Sequence, residues 1–155
     1  MKNQFMREAV DLAHKGVSLL QGGPFGAVIV KDNVIIGRGY NQVVGTNDPT
    51  AHAEVVAIRQ ACQSLGTFSL SGSDIYTSCE PCPMCLGAIY WARLEKIYFG
   101  ANRNDAAKIG FDDNFFYEEI AKEMNNRKVK MLECMRAESL VVFNEWEKNQ
   151  DKIQY

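Results

Sequence analysis

The sequence predicts an α/β fold in three layers, α/β/α, with a five-stranded mixed sheet as the middle layer. Three observations lead to this prediction. Short apolar segments of strand length alternate with longer segments whose apolar residues recur at helical spacing. Glycine, proline and Asn/Asp stand at the boundaries between these segments. The chain has 155 residues, which suits one domain, and it contains no repeat or linker that would divide it.

The first half of the chain is predicted to form a helix, a hairpin and a second helix. The expected ranges are a helix over 3–21, strands over 25–31 and 34–40 joined by a two-residue turn at Asp32-Asn33, and a helix over 51–64. Gly22-Gly23 ends the first helix and Gly66 ends the second. The residues from Asn41 to Thr50 are expected to form a polar loop.

The second half is predicted to continue the alternation of strands and helices. We expect strands over 74–78, 96–101 and 129–135, and helices over 83–93, 115–124 and 139–148. Pro83 suits the first position of its helix, with Cys82 as the cap. The last two strands are joined through a helix, so they are expected to be parallel.

The composition excludes several classes of protein. Hydrophobic residues make up 46% and charged residues 23%, which is close to the globular average and unlike a disordered or collagen-like chain. Apolar runs are far shorter than the ~20 residues of a membrane span, and the N-terminus does not resemble a secretory signal. The net charge of −2 does not favour a nucleic-acid partner. Five cysteines without a signal peptide indicate reduced thiols in the cytoplasm.

Two short motifs carry the chemistry: His52-Ala53-Glu54, and Pro81-Cys82-Pro83-Met84-Cys85. Each lies at a predicted helix N-terminus, where free N–H groups and the helix dipole favour thiolates. Zinc binds thiolate and imidazole, so His52, Cys82 and Cys85 are candidate ligands. Three protein ligands leave a fourth position for water, which is the pattern of catalytic zinc sites. Glu54 lies in the same first turn as His52 and can face that water.

The cysteines are compatible with two other kinds of site. A closed structural zinc site would add Cys79 as a fourth ligand, but it would give no reason for Glu54 beside the histidine. An iron–sulfur cluster would need a further cysteine followed by proline, and position 89 is Ile89. The combination His-x-Glu with Pro-Cys-x-x-Cys is, by contrast, the signature of zinc nucleobase deaminases.

The sequence resembles the cytidine-deaminase superfamily over almost its whole length, and within it the short bacterial guanine deaminases. The residues that carry this resemblance are Gly22–Val28, Asn47–Glu54, Tyr76–Cys85, Ala88–Arg93, Gly110–Asp113 and Tyr155. Phe111-Asp112-Asp113 and the terminal tyrosine favour the guanine deaminases over their relatives. The resemblance is weaker after about Phe115.

The resemblance implies the rest of the site. Asn41 is expected to hydrogen-bond the base, and Phe25 and Trp91 to pack against its ring. Asp113 and Tyr155 are expected to come from a C-terminal segment, residues 113–155, exchanged with the partner subunit of a homodimer. The alternatives are core packing for the two aromatic residues, a turn for Asn41 and a helix cap for Asp113. Glu138 is a further acid, and Cys79 is expected to be a neighbour of the zinc ligands.

The implied activity is zinc-dependent hydrolysis of guanine to xanthine and ammonia in purine catabolism, with Glu54 moving the protons. The substrate is then a small purine, and neither a membrane nor a nucleic acid is expected as a partner. The alternatives are a guanosine deaminase or another nucleoside or nucleobase deaminase, a tRNA adenosine deaminase, and a non-catalytic zinc module. A tRNA enzyme would be expected to show a basic groove, and this chain shows no basic cluster.

Overall fold

The computed structural model describes residues 2–155 and begins with a helix followed by a hairpin. Helix α1 is Lys2–Ser18, and strands β1 and β2 are Gly26–Lys31 and Val34–Tyr40. Asp32 and Asn33 between the strands both have positive φ, 49° and 64°, as a type I′ hairpin turn requires. The predicted two-residue turn is therefore confirmed. The polar loop that follows contains one helical turn, α2, Val43–Thr46.

The remaining elements alternate as the sequence predicts, apart from the last strand. They are α3 (Ala53–Leu65), β3 (Ser73–Cys79), α4 (Pro83–Trp91), β4 (Lys96–Ala101), α5 (Arg103–Lys108), α6 (Asp113–Ala121), a 3₁₀ turn (Met124–Asn126) and α7 (Arg136–Lys148). Cys82 occupies the N-cap position of α4 and Pro83 lies in its first turn, as predicted. Helix α5 was not predicted, although its capping box, formed by Asn102 and Asp105, is visible in the sequence.

Within residues 2–155 the sheet has four strands in the order β2-β1-β3-β4, not the five predicted. β1 pairs antiparallel with β2 and with β3, and β3 pairs parallel with β4 through the crossover helix α4. The prediction of a strand over residues 129–135 was wrong, and so was its parallel pairing with the strand before it. Residues in this range such as Val129 and Leu132 are largely exposed, so the segment lacks the buried face that stabilises a strand in a sheet.

Helices cover both faces of the sheet, which confirms the three-layer α/β/α arrangement. Side chains of β1 alternate between the two faces. Val28 and Val30 pack with Phe5 of α1, whereas Ala27 and Ile29 lie in a second cluster with α3 and α4. Because α3 and α4 share one face, their N-termini can meet at the same end of the sheet.

The approach of α3 to the sheet depends on small residues on both sides. Gly37 and Gly39 of β2 face the buried alanines of α3, Ala53, Ala57 and Ala61. A Cβ at Gly39 would lie 2.2 Å from the carbonyl oxygen of Ala53 and 2.6 Å from the amide nitrogen of Ala57. Both are backbone atoms, so relief would require α3 itself to move.

By their contacts, the residues form two units, one ending at Tyr117 and the other running from Glu118 to Tyr155. The first unit contains the sheet and its covering helices. The second contains the 3₁₀ turn and α7, and all of its residues are partly or fully exposed. Among the helices of residues 2–155, none is long and apolar enough to span a bilayer.

The Gly39 contact leads to a prediction about stability. We expect Gly39→Ala to lower the free energy of unfolding by about 1–3 kcal/mol, since the added methyl meets backbone it cannot displace. Gly87→Ala, in the middle of α4, is the matched control, because a Cβ there meets nothing within 4 Å. It should be neutral or stabilising by up to about 1 kcal/mol. Urea unfolding of the two variants measures this, and equal stabilities would contradict the packing described.

Candidate metal centre and substrate cavity

The two motifs predicted to carry the chemistry meet in one place. His52 is the N-cap residue of α3 and Cys82 is the N-cap residue of α4, and both have extended backbone. Neither side chain caps its own helix. The imidazole and the thiol are therefore available to each other, and Cys85, in the first turn of α4, completes the group.

The distances within this group fit a tetrahedral zinc ion. Nδ1 of His52 lies 3.6 Å from Sγ of Cys82 and 3.4 Å from Sγ of Cys85. With Zn–S near 2.3 Å and Zn–N near 2.05 Å, the N-to-S edge of a tetrahedron is about 3.6 Å. All three donor atoms lie within 4.8 Å of one another. The residues therefore fit zinc, and they do so through Nδ1 of the histidine.

The electrostatics of the group also favour a cation. A hydrogen bond from Cys85, followed by the interaction with His52, lowers the pKa of Cys82 to about 4. The hydrogen bond to Cys82 raises the pKa of His52 and, together with burial, that of Cys85. The chain alone thus holds a thiolate at Cys82, and a bound cation would take the place of the remaining proton.

Cys79 lies outside this group. Its thiol donates to the carbonyl oxygen of Asn102 at 3.8 Å, and burial raises its pKa to about 11. Among the described residues, the group that could hold a metal ion consists of His52, Cys82 and Cys85 and does not include Cys79. The closed Cys3His arrangement is therefore not formed, and the cavity reaches this group of three donors.

Glu54 is a buried carboxylate next to the three ligands. One oxygen accepts a hydrogen bond from the hydroxyl of Thr77 at 3.3 Å, and the other lies 3.4 Å from Sγ of Cys85. Burial raises the pKa of Glu54. Thr77 was missed in the sequence, although a polar residue at a buried strand position, between Ile75 and Cys79, is the pattern that could have indicated it.

A cavity of about 260 Å³ opens onto His52, Glu54 and Cys82. Its walls include three predicted substrate residues, Phe25, Asn41 and Asp113. The structure also places several unpredicted residues there, among them Gly22, Gly23, Val43, Val44, Pro49 and Glu80. Across the described part of the chain, no lysine or arginine lines this cavity.

Asn41 has a fixed orientation in the cavity wall. Its side-chain oxygen accepts the backbone N–H groups of Gly23, at 3.3 Å, and Val43, at 3.2 Å. The side-chain nitrogen is then the atom left to donate to a ligand. This arrangement needs Gly22, because a Cβ there would lie 2.0 Å from the oxygen of Asn41.

Phe25 and Phe111 form an aromatic wall with their rings in edge-to-face contact, 4.9 Å between centroids. Asp113, the first residue of α6, also lines the cavity of its own chain. This differs from the expectation that Asp113 is supplied by a partner. Burial raises the pKa of Asp113, and the charge of Cys82 raises it further.

The remaining predicted residues lie elsewhere. Trp91, on the last turn of α4, does not line the cavity; it is 64% exposed and lies beside the guanidinium of Arg93. Tyr155 and Glu138 belong to the second unit, Glu138 in the first turn of α7.

A His/Cys/Cys group with two buried cysteines and an adjacent buried glutamate, on a three-layer α/β/α fold, defines a zinc-dependent hydrolytic deaminase. The sequence model of the cytidine and deoxycytidylate deaminase zinc-binding region matches residues 1–101. The chain belongs to this family, and zinc is its metal.

Within this family, the chain is similar to guanine deaminases and to tRNA-specific adenosine deaminases. The chain is 52% identical to the guanine deaminase of Bacillus subtilis over 151 residues, which is 97% of each chain. An X-ray structure of a Bacillus subtilis guanine deaminase matches with a TM-score of 0.95 and 51% identity, covering 99% of this chain and 98% of that one. A tRNA-specific adenosine deaminase of Buchnera aphidicola is 37% identical over 126 residues, 81% of each chain.

The position of Cys79 leads to a prediction about metal content. We expect Cys85→Ala to abolish stoichiometric zinc binding, because it removes one of the three donor atoms that lie within 4.8 Å of one another. Cys79→Ala, a thiol of the same motif, should retain about one zinc per chain. Elemental analysis of the two purified variants measures this, and loss of zinc from Cys79→Ala would place that thiol in the ligand set.

Proposed function

We propose that this protein converts guanine and water to xanthine and ammonia, with His52, Cys82 and Cys85 as zinc ligands and Glu54 as the catalytic residue. The observation that carries the proposal is 52% identity, over 97% of both chains, to a guanine deaminase. The structure supports it with a small cavity that extends from the candidate metal centre to the aromatic rings of Phe25 and Phe111 and to the polar side chains of Asn41 and Asp113.

Glu54 is suited to move protons between water and the base. Its buried carboxylate is held by Thr77 and lies against Cys85, so it faces the metal centre with a fixed geometry. Bound zinc lowers the pKa of a water molecule to about 7 and so supplies a nucleophile at neutral pH. Glu54 would take one proton from the attacking water while the water oxygen bonds to C2 of guanine, and would pass that proton to a ring nitrogen. Glu54 would then transfer the second water proton, from the new hydroxyl group on C2, to the amino group, so that the C2–N bond breaks and ammonia leaves.

The polar residues of the cavity match guanine better than adenine. Guanine carries N–H donors at N1 and at its amino group, and the carboxylate of Asp113 accepts them. Adenine presents an acceptor at N1 instead, which a carboxylate repels. The side-chain nitrogen of Asn41 donates to an acceptor atom of the purine, and Phe25 packs against the ring.

The cavity walls also argue against an RNA substrate. Glu54, Glu80 and Asp113 are acidic, and within residues 2–155 no basic side chain stands among the lining residues. RNA recognition depends on cationic contacts to phosphates around the reacting base. A free purine carries no phosphate and needs none of these contacts.

The proposal includes a homodimer in which each C-terminal segment completes the partner's cavity. Every residue of the second unit is partly or fully exposed, including large apolar side chains such as Leu132, Phe143 and Trp146. Side chains of this kind favour packing against another chain. Since Asp113 lines its own cavity, the exchanged segment would begin after Tyr117, and Tyr155 would be the partner's contribution. Trp91 is exposed on α4, and it would contact the substrate or the partner subunit only in this homodimer.

A reducing, cytoplasmic compartment is part of the proposal. Cys82 and Cys85 must remain unoxidised to bind metal, and Cys82 is held as a thiolate.

A substrate panel tests the proposed function. We expect the zinc-loaded protein to release ammonia from guanine with formation of xanthine, and to act weakly or not at all on adenine, cytosine, guanosine and tRNA. Ultraviolet spectra and ammonia release measure each substrate on one protein sample. Turnover of adenosine in tRNA with guanine inert would overturn the substrate assignment and leave the zinc chemistry standing.

Glu54→Gln tests the proposed proton transfer. The amide keeps the shape of the side chain but cannot exchange protons, so we expect turnover of guanine to fall by about 10²–10⁴-fold. Zinc content should stay near one per chain, because Glu54 is not among the ligands. Activity within a few-fold of wild type would show that another residue moves the protons.

Subunit complementation tests the exchanged segment. Glu54→Gln and a variant lacking Tyr155 are each expected to turn over guanine poorly. After mixing under conditions that exchange subunits, about one quarter of wild-type activity should return, because half of the dimers are mixed and each mixed dimer has one intact site. No recovery despite mixed dimers, seen by native mass spectrometry, would assign Tyr155 to its own chain's site or to no site.

A further inference from the structure

Glu80 ties the metal-binding loop to the segment that follows β4. It stands two residues before Cys82, and its carboxylate accepts the backbone N–H of Arg103 at 2.9 Å and the guanidinium Nε of the same residue at 3.0 Å. Its own backbone N–H donates to the carbonyl oxygen of Ala101 at 2.9 Å. The Arg103 guanidinium lowers the pKa of Glu80, so the carboxylate is charged at neutral pH.

Tyr117 contacts both Arg103 and Pro81, and so links the side chain bound by Glu80 to the next residue of the metal-binding loop. The guanidinium of Arg103 lies over the Tyr117 ring, 4.0 Å from its centroid. The Tyr117 hydroxyl donates to the carbonyl oxygen of Pro81 at 2.9 Å. Glu80, Arg103 and Tyr117, here called the Glu80 cluster, therefore hold the peptide that precedes Cys82 from two sides.

The same cluster positions the start of α6. Asp113 and Tyr117 are one helical turn apart, at i and i+4, so they share a face of α6. Tyr117 fixes that face against Pro81, and Asp113 consequently lies in the wall of the cavity. Two distant parts of the sequence, the metal-binding loop and α6, are thereby held at a fixed separation.

We propose that Arg103 and Tyr117 are positioning residues, which act on the reaction by holding Asp113 beside the metal ligands. This inference rests on the proposed function, in which Asp113 contacts the purine. Neither Arg103 nor Tyr117 lines the cavity or belongs to the buried clusters on the two faces of the sheet. They therefore act on the substrate only through Asp113, and replacing them removes no side chain from those clusters.

The charge of Asp113 provides a substrate-independent measure of its position. Asp113 interacts electrostatically with both Cys82 and His52. Moving or neutralising Asp113 changes the field at the metal ligands. The visible absorption bands of a cobalt(II)-substituted protein respond to that field. A substitution that only removes a contact far from the metal ligands does not shift these bands.

The test compares Tyr117→Phe, Arg103→Lys and Asp113→Asn with Arg38→Lys as the matched control. Tyr117→Phe keeps the ring under the guanidinium and loses the hydrogen bond to Pro81, while Arg103→Lys keeps the charge and loses the forked contact. Arg38 makes a similar ion pair with Glu8, 2.8 Å long, on a surface away from the cavity. Each protein is assayed for zinc content, kcat and KM on guanine, and the cobalt spectrum.

We expect Tyr117→Phe and Arg103→Lys to keep zinc, to lose about 10- to 100-fold in kcat/KM, and to shift the cobalt bands in the direction of Asp113→Asn. In the Asp113→Asn background the same changes should cause little further loss, because the residue they position is gone. Arg38→Lys should match wild type in every measurement.

Two results would overturn the inference: losses that multiply in the double variants, or cobalt spectra that Arg103→Lys and Tyr117→Phe leave unchanged. If the proposed function is wrong, the results differ from both of these outcomes. Wild-type protein would then leave guanine unconverted, and the cobalt comparison would still decide whether the cluster positions Asp113.

Discussion

The convergence of two helix N-termini is the constraint on which this site depends. His52 precedes α3 and Cys82 precedes α4, and their donor atoms lie 3.6 Å apart although thirty positions separate them in the sequence. Both helices must therefore pack on one face of the sheet and begin at the same end. The glycines of β2 and the alanines of α3 allow that packing, since larger side chains would push α3 away.

This convergence also determines the electrostatics of the site. Free N–H groups at the two helix starts favour negative charge, and Cys82 is held as a thiolate by Cys85 and His52. Glu54 follows His52 by two residues, so its carboxylate is buried beside the ligands as a consequence of the same turn. Cys79, at the end of β3, lies outside the group of three donors, and burial raises the pKa of its thiol. The three thiols of one motif therefore lie in different surroundings.

The sequence was sufficient to predict the features that depend on local patterns. Spacing and helix starts within short segments predict the hairpin turn at Asp32-Asn33 and the N-cap position of Cys82. The donor chemistry of the two motifs predicts that His52 lies together with the distant Cys82 and Cys85. Other features that depend on distant partners were missed. Thr77 meets Glu54 across 23 positions, and Arg103 meets Glu80 across 23 positions, which no local pattern encodes. The predicted strand over 129–135 is wrong for a related reason: an apolar segment of strand length forms a strand only where a neighbouring strand pairs with it.

The central claim is that three protein ligands hold zinc and leave one position open beside Glu54. X-ray absorption spectroscopy of the zinc-loaded protein tests this most directly. The account predicts two sulfur ligands at about 2.3 Å and two nitrogen or oxygen ligands at about 2.0–2.1 Å. Three sulfur ligands would place Cys79 in the coordination sphere, close the open position and contradict the proposed catalysis.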